Sequence, residues 1–327
     1  MEKLRIGIVG YGNVGRAVEL SLRQNPDMMA AVVLTRRDPR GIRTLTPGLM
    51  ASSIEEAERY ASEVDVAVLC GGSATDLPVQ GPAMASIFNT VDSYDNHPRI
   101  PEYFAAVDSA ARRGRRTAIV STGWDPGLFS LIRLLEEAVL PEGTDYTFWG
   151  PGVSQGHSDA VRRVEGVRDA RQYTIPIEDA VARVRSGEAP SLSTREKHLR
   201  RCYVVAEEGA DPGEIREKIR SMPNYFADYD TKVSFISQEE MERSHSRMPH
   251  GGFVMRAGKT ADGTGHVLEF RLKLDSNPAF TASVLLAYAR AAYRLHQEGA
   301  IGARTVFDVP PAHLSPKTPE EIRRSML

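Results

Sequence analysis

Leu4-Arg5-Ile6-Gly7-Ile8-Val9 runs directly into Gly10-Tyr11-Gly12-Asn13-Val14-Gly15, and this stretch decides the fold. The first six residues are a short, mostly apolar run of the kind that forms a buried strand. After the glycines, Arg16-Ala17-Val18-Glu19-Leu20-Ser21-Leu22-Arg23 carries apolar residues at helical spacing. A G-x-G-x-x-G sequence held between a strand and a helix is the fingerprint of dinucleotide binding. Gly10 permits the tight turn, Gly12 lets the backbone approach a pyrophosphate, and Gly15 lets the helix pack against the strand. The free N–H groups at the helix N-terminus, around Asn13 and Val14, then face the phosphates with the positive end of the helix dipole. A glycine-rich turn in some other α/β protein is the competing reading, and the strand–turn–helix context argues against it.

The next strand selects the nucleotide. Ala30-Ala31-Val32-Val33-Leu34-Thr35 is apolar and β-prone. A site built for NAD places Asp or Glu at the end of this strand, to bind the ribose 2′-hydroxyl. Here the strand ends in Thr35-Arg36-Arg37. A carboxylate would repel a 2′-phosphate, whereas guanidinium groups grip one in a fork and a threonine adds a hydroxyl. The expected cofactor is NADP. The alternative is a solvated arginine pair neutralised by the adjacent Asp38.

Alternation of strand and helix continues from there. Asp65–Cys70 is a third buried strand, and Cys70, Gly72, Ser73, Ala74 and Thr75 follow at its carboxyl end, where open α/β sheets bind ligands. Ser53 and Glu56 form a capping-box pattern for a short helix through Tyr60. Helices over 79–86 and 102–113 alternate with strands over 88–91 and 117–121, the order of a doubly wound parallel sheet. Beyond a helix over 128–139 the strand candidates become longer and more polar: 146–149, 170–175, 200–206, 232–236, 252–257 and 266–274. These predict an α+β second domain with a mostly antiparallel or mixed sheet. The last long helix, 278–296, is rich in Ala, Leu and Tyr and is expected to return to the first domain. The expected division is 1–123 completed by 278–327 for the dinucleotide, and 124–277 for the substrate.

The chain of 327 residues has a formal charge of −2 and two cysteines, Cys70 and Cys202. This balance offers no basic field for nucleic acid and no polybasic membrane patch. Two cysteines give neither a disulfide framework nor a metal cluster. The N-terminus enters a strand at once, without space for a signal peptide, and no apolar run is long enough to span a bilayer. A soluble cytoplasmic protein is expected, with no metal, nucleic acid or membrane partner.

Strand ends of the first domain carry carboxylates in succession: Asp92 and Asp95, then Asp125 beside Trp124. The second domain adds Trp149, Gln155, Gly156, His157, Thr174, Arg200, His250 and Asn277. A pocket made from these has acceptors at one end for a cationic amine. It has Arg, His and Thr donors at the other for a carboxylate. That suits an amino acid with two separated polar ends. Taken singly, each has a plainer reading: Trp as core, Asp125-Pro126 as a turn, His157-Ser158-Asp159 as a helix start.

The motifs together resemble the meso-diaminopimelate dehydrogenase family over essentially the whole chain. The resemblance rests on Gly10 to Gly15, Thr35-Arg36-Arg37, Gly72-Ser73-Ala74-Thr75-Asp76, Val91 to His97, Ser121 to Gly127, Phe148 to Gly152, Ser154 to Asp159 and Met248 to Gly252. The run from Phe148 to Asp159 is more specific than the glycine fingerprint. The resemblance implies NADP-dependent oxidative deamination of the D-centre of meso-2,6-diaminopimelate. It implies that Asp95 and Asp125 hold the D-centre amine. Trp124, Trp149, Gln155 and Gly156 would shape that end, and Thr174, Arg200, His250 and Asn277 would hold the distant L-centre. It also implies a homodimer formed through the middle domain. Two other readings stay open at the level of residues: another two-domain NADP-dependent amino acid dehydrogenase, and an NADP-binding sensor with a dead site.

Overall fold

In the computed structural model, which describes residues 3–327, the opening stretch folds as β1 (Leu4–Val9), a glycine turn and α1 (Asn13–Ser21). The strands that follow are β2 (Met28–Thr35), β3 (Ala51–Ser53), β4 (Val66–Leu69), β5 (Asn89–Asp92) and β6 (Thr117–Ile119). With a strand at Gly302–Arg304 they form one seven-stranded sheet, in the order 302–304, β6, β5, β4, β1, β2, β3, and every pair is parallel. β1 lies inside the sheet, so successive residues serve opposite cores. Ile6 and Ile8 pack with α1 and the helix Asn277–Gln297, while Val9 packs with α2 (Leu77–Ala85) and α3 (Ile100–Gly114). Helices on both faces of a parallel sheet make the doubly wound architecture.

The C-terminal helix is fixed there by more than apolar burial. Arg290, 4% exposed, donates to both carboxylate oxygens of Asp27, in the turn before β2, at 2.7 and 3.0 Å. Hydrogen bonding to Arg290 holds the Asp27 carboxyl below its usual range.

The chain divides into two units, one reaching Leu131 and resuming at Pro278–Leu327, the other Ile132–Asn277. Trp124 and Asp125, assigned by sequence to the substrate domain, therefore sit in the first unit, just before α4 (Leu128–Val139).

The second unit holds two sheets instead of one. Its strands are β7 (Gly143–Trp149), β8 (Gly152–Val153), β9 (Val167–Pro176), β10 (His198–Ala206), β11 (Asp230–Phe235), β12 (His250–Lys259) and β13 (Gly265–Leu274). One sheet runs β11-β10-β9-β8 and the other β13-β12-β7. β10 and β11 are parallel while β9 is antiparallel to both β8 and β10, so this sheet is mixed, one of the two forms expected. The parallel pair follows from the helix Pro212–Arg220 between β10 and β11, a crossover of the kind that parallel neighbours require. The chain passes from one sheet to the other at Gly150, whose φ of +101° and contact with the Thr174 carbonyl leave no space for a Cβ.

The Ser53–Glu56 capping box does not form. Residues 54–60 are a 3-10 helix; Ser53 accepts from the Glu55 N–H, and the Glu56 carboxylate turns back to the Ser52 hydroxyl at 2.5 Å.

Candidate active site

The carboxyl edge of the parallel sheet carries a groove of about 470 Å³. Gly10, Tyr11, Gly12, Thr35, Arg36, Arg37, Cys70 and Gly72 line it, with Asp76 and Gln80. Each fingerprint glycine has a measurable reason. Gly10 has a φ of +90°, and a Cβ on Gly15 would lie 2.1 Å from the Gly10 carbonyl oxygen. At Gly12 a Cβ would meet nothing within 4 Å, so bare backbone faces the open groove. Gly12 is the N-cap of α1 and no side chain caps that end, so the N–H groups of Asn13, Val14 and Gly15 are presented as the phosphate-binding turn requires.

At the end of β2 the Thr35 hydroxyl accepts from the Arg37 N–H at 3.1 Å. Arg36 pairs with Asp76, and Arg37 donates to the Tyr11 carbonyl. Neither arginine uses Asp38, which is engaged with Arg40. Two guanidinium groups at this edge, and no carboxylate at 35–37, fit a 2′-phosphorylated dinucleotide. The Cys70 thiol donates to the Val68 carbonyl, and burial pushes its pKa up, so it packs there and does not ionise. Ser73, Ala74 and Thr75 lie outside the groove lining. Ser73 has another task, since its hydroxyl accepts the Asp95 N–H at 3.1 Å. The loop after β4 is thus tied to the loop after β5.

The two carboxylates after β5 behave oppositely. Asp95 is exposed. Asp92 turns inward and does not join the pocket, contrary to the sequence expectation. It is 1% exposed and accepts from the N–H groups of Tyr94 and Ser121, both at 3.0 Å, and from the Tyr103 hydroxyl at 2.8 Å. It ties the ends of β5 and β6 to α3. Burial pushes its pKa up to about 6, against the pull of these hydrogen bonds. Trp124 is 8% exposed, its indole edge-on to Phe129 at 5.3 Å, and Asp125 beside it is half-buried.

On the second unit the candidates gather where its two sheets meet. Trp149 ends β7 and opposes Gly252 of β12. Gly152 of β8 opposes Thr174 of β9, and a Cβ on Gly152 would lie 2.4 Å from the Cα of His250. The absent side chain thus lets His250 close on the Thr174 strand. The His250 Nδ1 accepts from the Gly251 N–H at 2.8 Å, and the Asn277 N–H donates to the Met248 carbonyl at 3.1 Å. Gln155 and Gly156 open α5 (Gln155–Arg162) and are exposed, with the Gln155 amide 2.9 Å from the Met248 sulfur. Ser154 caps this helix, and its hydroxyl lies 2.8 Å from the His157 Nδ1, so His157 serves the helix start.

Arg200 opposes Thr174 across β9 and β10 and is 6% exposed. It donates to the Thr174 hydroxyl oxygen, and its Cζ lies 3.9 Å from the centre of the Tyr229 ring. Gln172, 0% exposed, donates to the same hydroxyl oxygen at 3.4 Å. With both lone pairs of Thr174 taken, its proton is left to donate outward. Arg200 makes no ion pair among the described residues, and its Nε is buried without a partner. Burial lowers its pKa and also pushes its neighbours down, His157 to about 4 and His198 to about 3, with the Arg200 charge adding to each. This corner is a cluster of donors that lacks an anion.

Sequence reasoning missed His198, Gln172 and Tyr229. His198 is 1% exposed, accepts the Trp149 N–H on its Nε2 at 2.8 Å and stacks on the indole at 5.4 Å. It is therefore the neutral tautomer with its proton on Nδ1.

The chain is 60% identical to the meso-diaminopimelate D-dehydrogenase of Ureibacillus thermosphaericus, over 100% of both chains. It belongs to the meso-diaminopimelate D-dehydrogenase family. The profile of the diaminopimelic acid dehydrogenase C-terminal domain matches residues 123–276. A crystal structure of a meso-diaminopimelate dehydrogenase variant from Clostridium tetani E88, with DAP, superposes with a TM-score of 0.94 at 53% identity, covering 99% of this chain and 100% of that one. An engineered D-amino acid dehydrogenase bound to NADP+ superposes with a TM-score of 0.88 at 44% identity, with the same coverage.

Proposed function

We propose that the chain oxidises the D-centre of meso-2,6-diaminopimelate with NADP, giving L-2-amino-6-oxopimelate and ammonia in a reversible reaction. The observation that carries this reading is Arg200, a buried guanidinium that has no ion-pair partner among the described residues and so is open to an anionic ligand. The Clostridium tetani variant adds support. It is altered at a glutamine, a threonine, an arginine, a proline, a histidine and an asparagine. Residues of the same types, in the same order and at the same spacing, are here Gln155, Thr174, Arg200, Pro249, His250 and Asn277.

NADP, when bound, accepts the hydride. Gly10, Gly12 and the first turn of α1 hold its pyrophosphate, and Thr35, Arg36 and Arg37 hold its 2′-phosphate. Asp95 and Asp125 bind the D-centre amine and orient its Cα. Trp124, Trp149, Gln155 and Gly156 enclose that end. Thr174, Arg200, His250 and Asn277 bind the L-centre, so only a D-configured opposite end presents its hydrogen correctly. The Cα hydrogen would leave as hydride with the bonding pair, to the cofactor, while the amine gives up a proton to water; water then adds to the resulting imine and ammonia departs. Neither aspartate loop carries a lysine, and His97 is the one histidine there, so the aspartates are assigned to orientation and proton removal to water.

By the same reading the second unit, Ile132–Asn277, is the substrate and dimerisation domain of a homodimer. The enzyme is placed in the cytoplasm, in keeping with two free thiols, Cys70 and Cys202. Among the described residues no helix is long and apolar enough to cross a membrane.

The test is NADPH formation from meso-2,6-diaminopimelate, with NADP against NAD. Turnover with NADP and little with NAD is expected. Tight NADPH binding without oxidation of any amino acid would favour the sensor reading. Asp125→Asn should raise KM for the substrate about tenfold, the scale of one charge-assisted hydrogen bond. Lost turnover at unchanged KM would make Asp125 a base.

A further inference from the structure

Arg200 is held by unusual means. A buried cation is ordinarily paired with a carboxylate, because removing it from water is costly. Here one nitrogen reaches the Thr174 hydroxyl, Nε has no partner, and among the described residues no carboxylate forms an ion pair with it. Tyr229 faces the guanidinium, its ring centre 3.9 Å from Cζ and its hydroxyl also interacting with the cation. An aromatic face within about 6 Å attracts a guanidinium through its quadrupole, most strongly where water is excluded.

The fold fixes that ring. Tyr229 immediately precedes β11, which pairs in parallel with β10 so that Thr231 lies beside Arg200. The Tyr229 N–H donates to the carbonyl of Phe226 at 3.0 Å, and Phe226 is fully buried. The parallel crossover through Pro212–Arg220 therefore delivers an aromatic face to the guanidinium.

We propose that Tyr229 is a positioning residue for substrate recognition: its ring holds the Arg200 guanidinium ready for the distal carboxylate. A carboxylate partner would compete with the substrate for the same donors, whereas a ring face stabilises the cation and leaves its in-plane N–H groups available. The inference rests on the reading that Arg200 binds the distal end.

The experiment compares KM for meso-2,6-diaminopimelate, at saturating NADP, in the wild type, Tyr229→Leu, Tyr229→Phe, Arg200→Met and the double variant Tyr229→Leu/Arg200→Met. Tyr229→Leu should raise KM roughly 10–30-fold, the scale of a desolvated cation–π contact. Its kcat should change less than about threefold, since the reacting end is untouched. Tyr229→Phe, which keeps the ring, should restore KM to within about threefold. The double variant should match Arg200→Met alone, because the ring acts through the guanidinium. An unchanged KM in Tyr229→Leu, or full multiplication of the two single effects, overturns the proposal. Should Tyr229→Leu fold poorly, Tyr229→Met fills similar volume without a ring and carries the same expectations. An unchanged KM in Arg200→Met alone would remove the role of Arg200 itself, and the proposal with it.

Discussion

Two arginine sites in this chain solve opposite problems. At the nucleotide groove, Arg36 lies at the surface and already has a partner, the Asp76 carboxylate. On the proposed reading a 2′-phosphate competes with that partner. In the second unit Arg200 is buried and held by a hydroxyl and a ring face, with no carboxylate paired to it among the described residues. The first arrangement gives affinity that salt screens. The second gives selectivity, because a ligand lacking an anion leaves a buried charge unmatched.

The regions also differ in how their buried titratable groups answer pH. Asp92 in the first unit has a raised pKa, about 6. The folded state therefore binds more protons than the unfolded chain, and stability falls as pH rises from about 4 to 6. His198 in the second has a depressed pKa, about 3. There the unfolded chain binds the extra proton, and stability falls as pH drops below about 6.5.

The contrast can be broken in four ways, in descending order of effect. Arg200→Met should lower kcat/KM for meso-2,6-diaminopimelate by about 10³, or ~4 kcal/mol, while leaving the NADP dissociation constant unchanged; a parallel loss in NADP binding would contradict the division of labour. Asp92→Asn should abolish a loss of about 2 kcal/mol between pH 4 and 6, read as the difference in denaturant stability from the wild type. A double replacement of Arg36 and Arg37 by Ser should weaken NADP about 30-fold, or ~2 kcal/mol, and NAD far less; the wild-type preference should also shrink with added salt. His198→Asn should remove about 1.4 kcal/mol of destabilisation at pH 5.5 relative to neutral pH, and wild-type and variant curves that stay parallel would show that His198 is not buried neutral.

The nucleotide half was largely legible in the sequence because its rules are local. Gly10, Gly12 and Gly15 fall within six consecutive residues, and Arg36 and Arg37 directly follow the next strand. The second half depends on pairing that sequence does not display. The alternation of 198, 200, 202 and 204 along β10 marks one buried face, and could have linked His198 to Arg200. Gln172 shares a face with Thr174 by the same period. Tyr229 had no such signal, since only the parallel crossover brings it to Arg200. Asp92 and Asp95 look alike in sequence. Their difference comes from the N–H groups of Tyr94 and Ser121, which capture the first and leave the second exposed.

The most direct measurement is NADP reduction with the meso, L,L and D,D isomers of 2,6-diaminopimelate at equal concentration. The account predicts rapid turnover of the meso isomer. It predicts none of L,L, which has no D-centre, and slow turnover of D,D, whose far end is wrongly configured for Arg200 and Thr174. Comparable rates on all three, or oxidation of L,L, would contradict it.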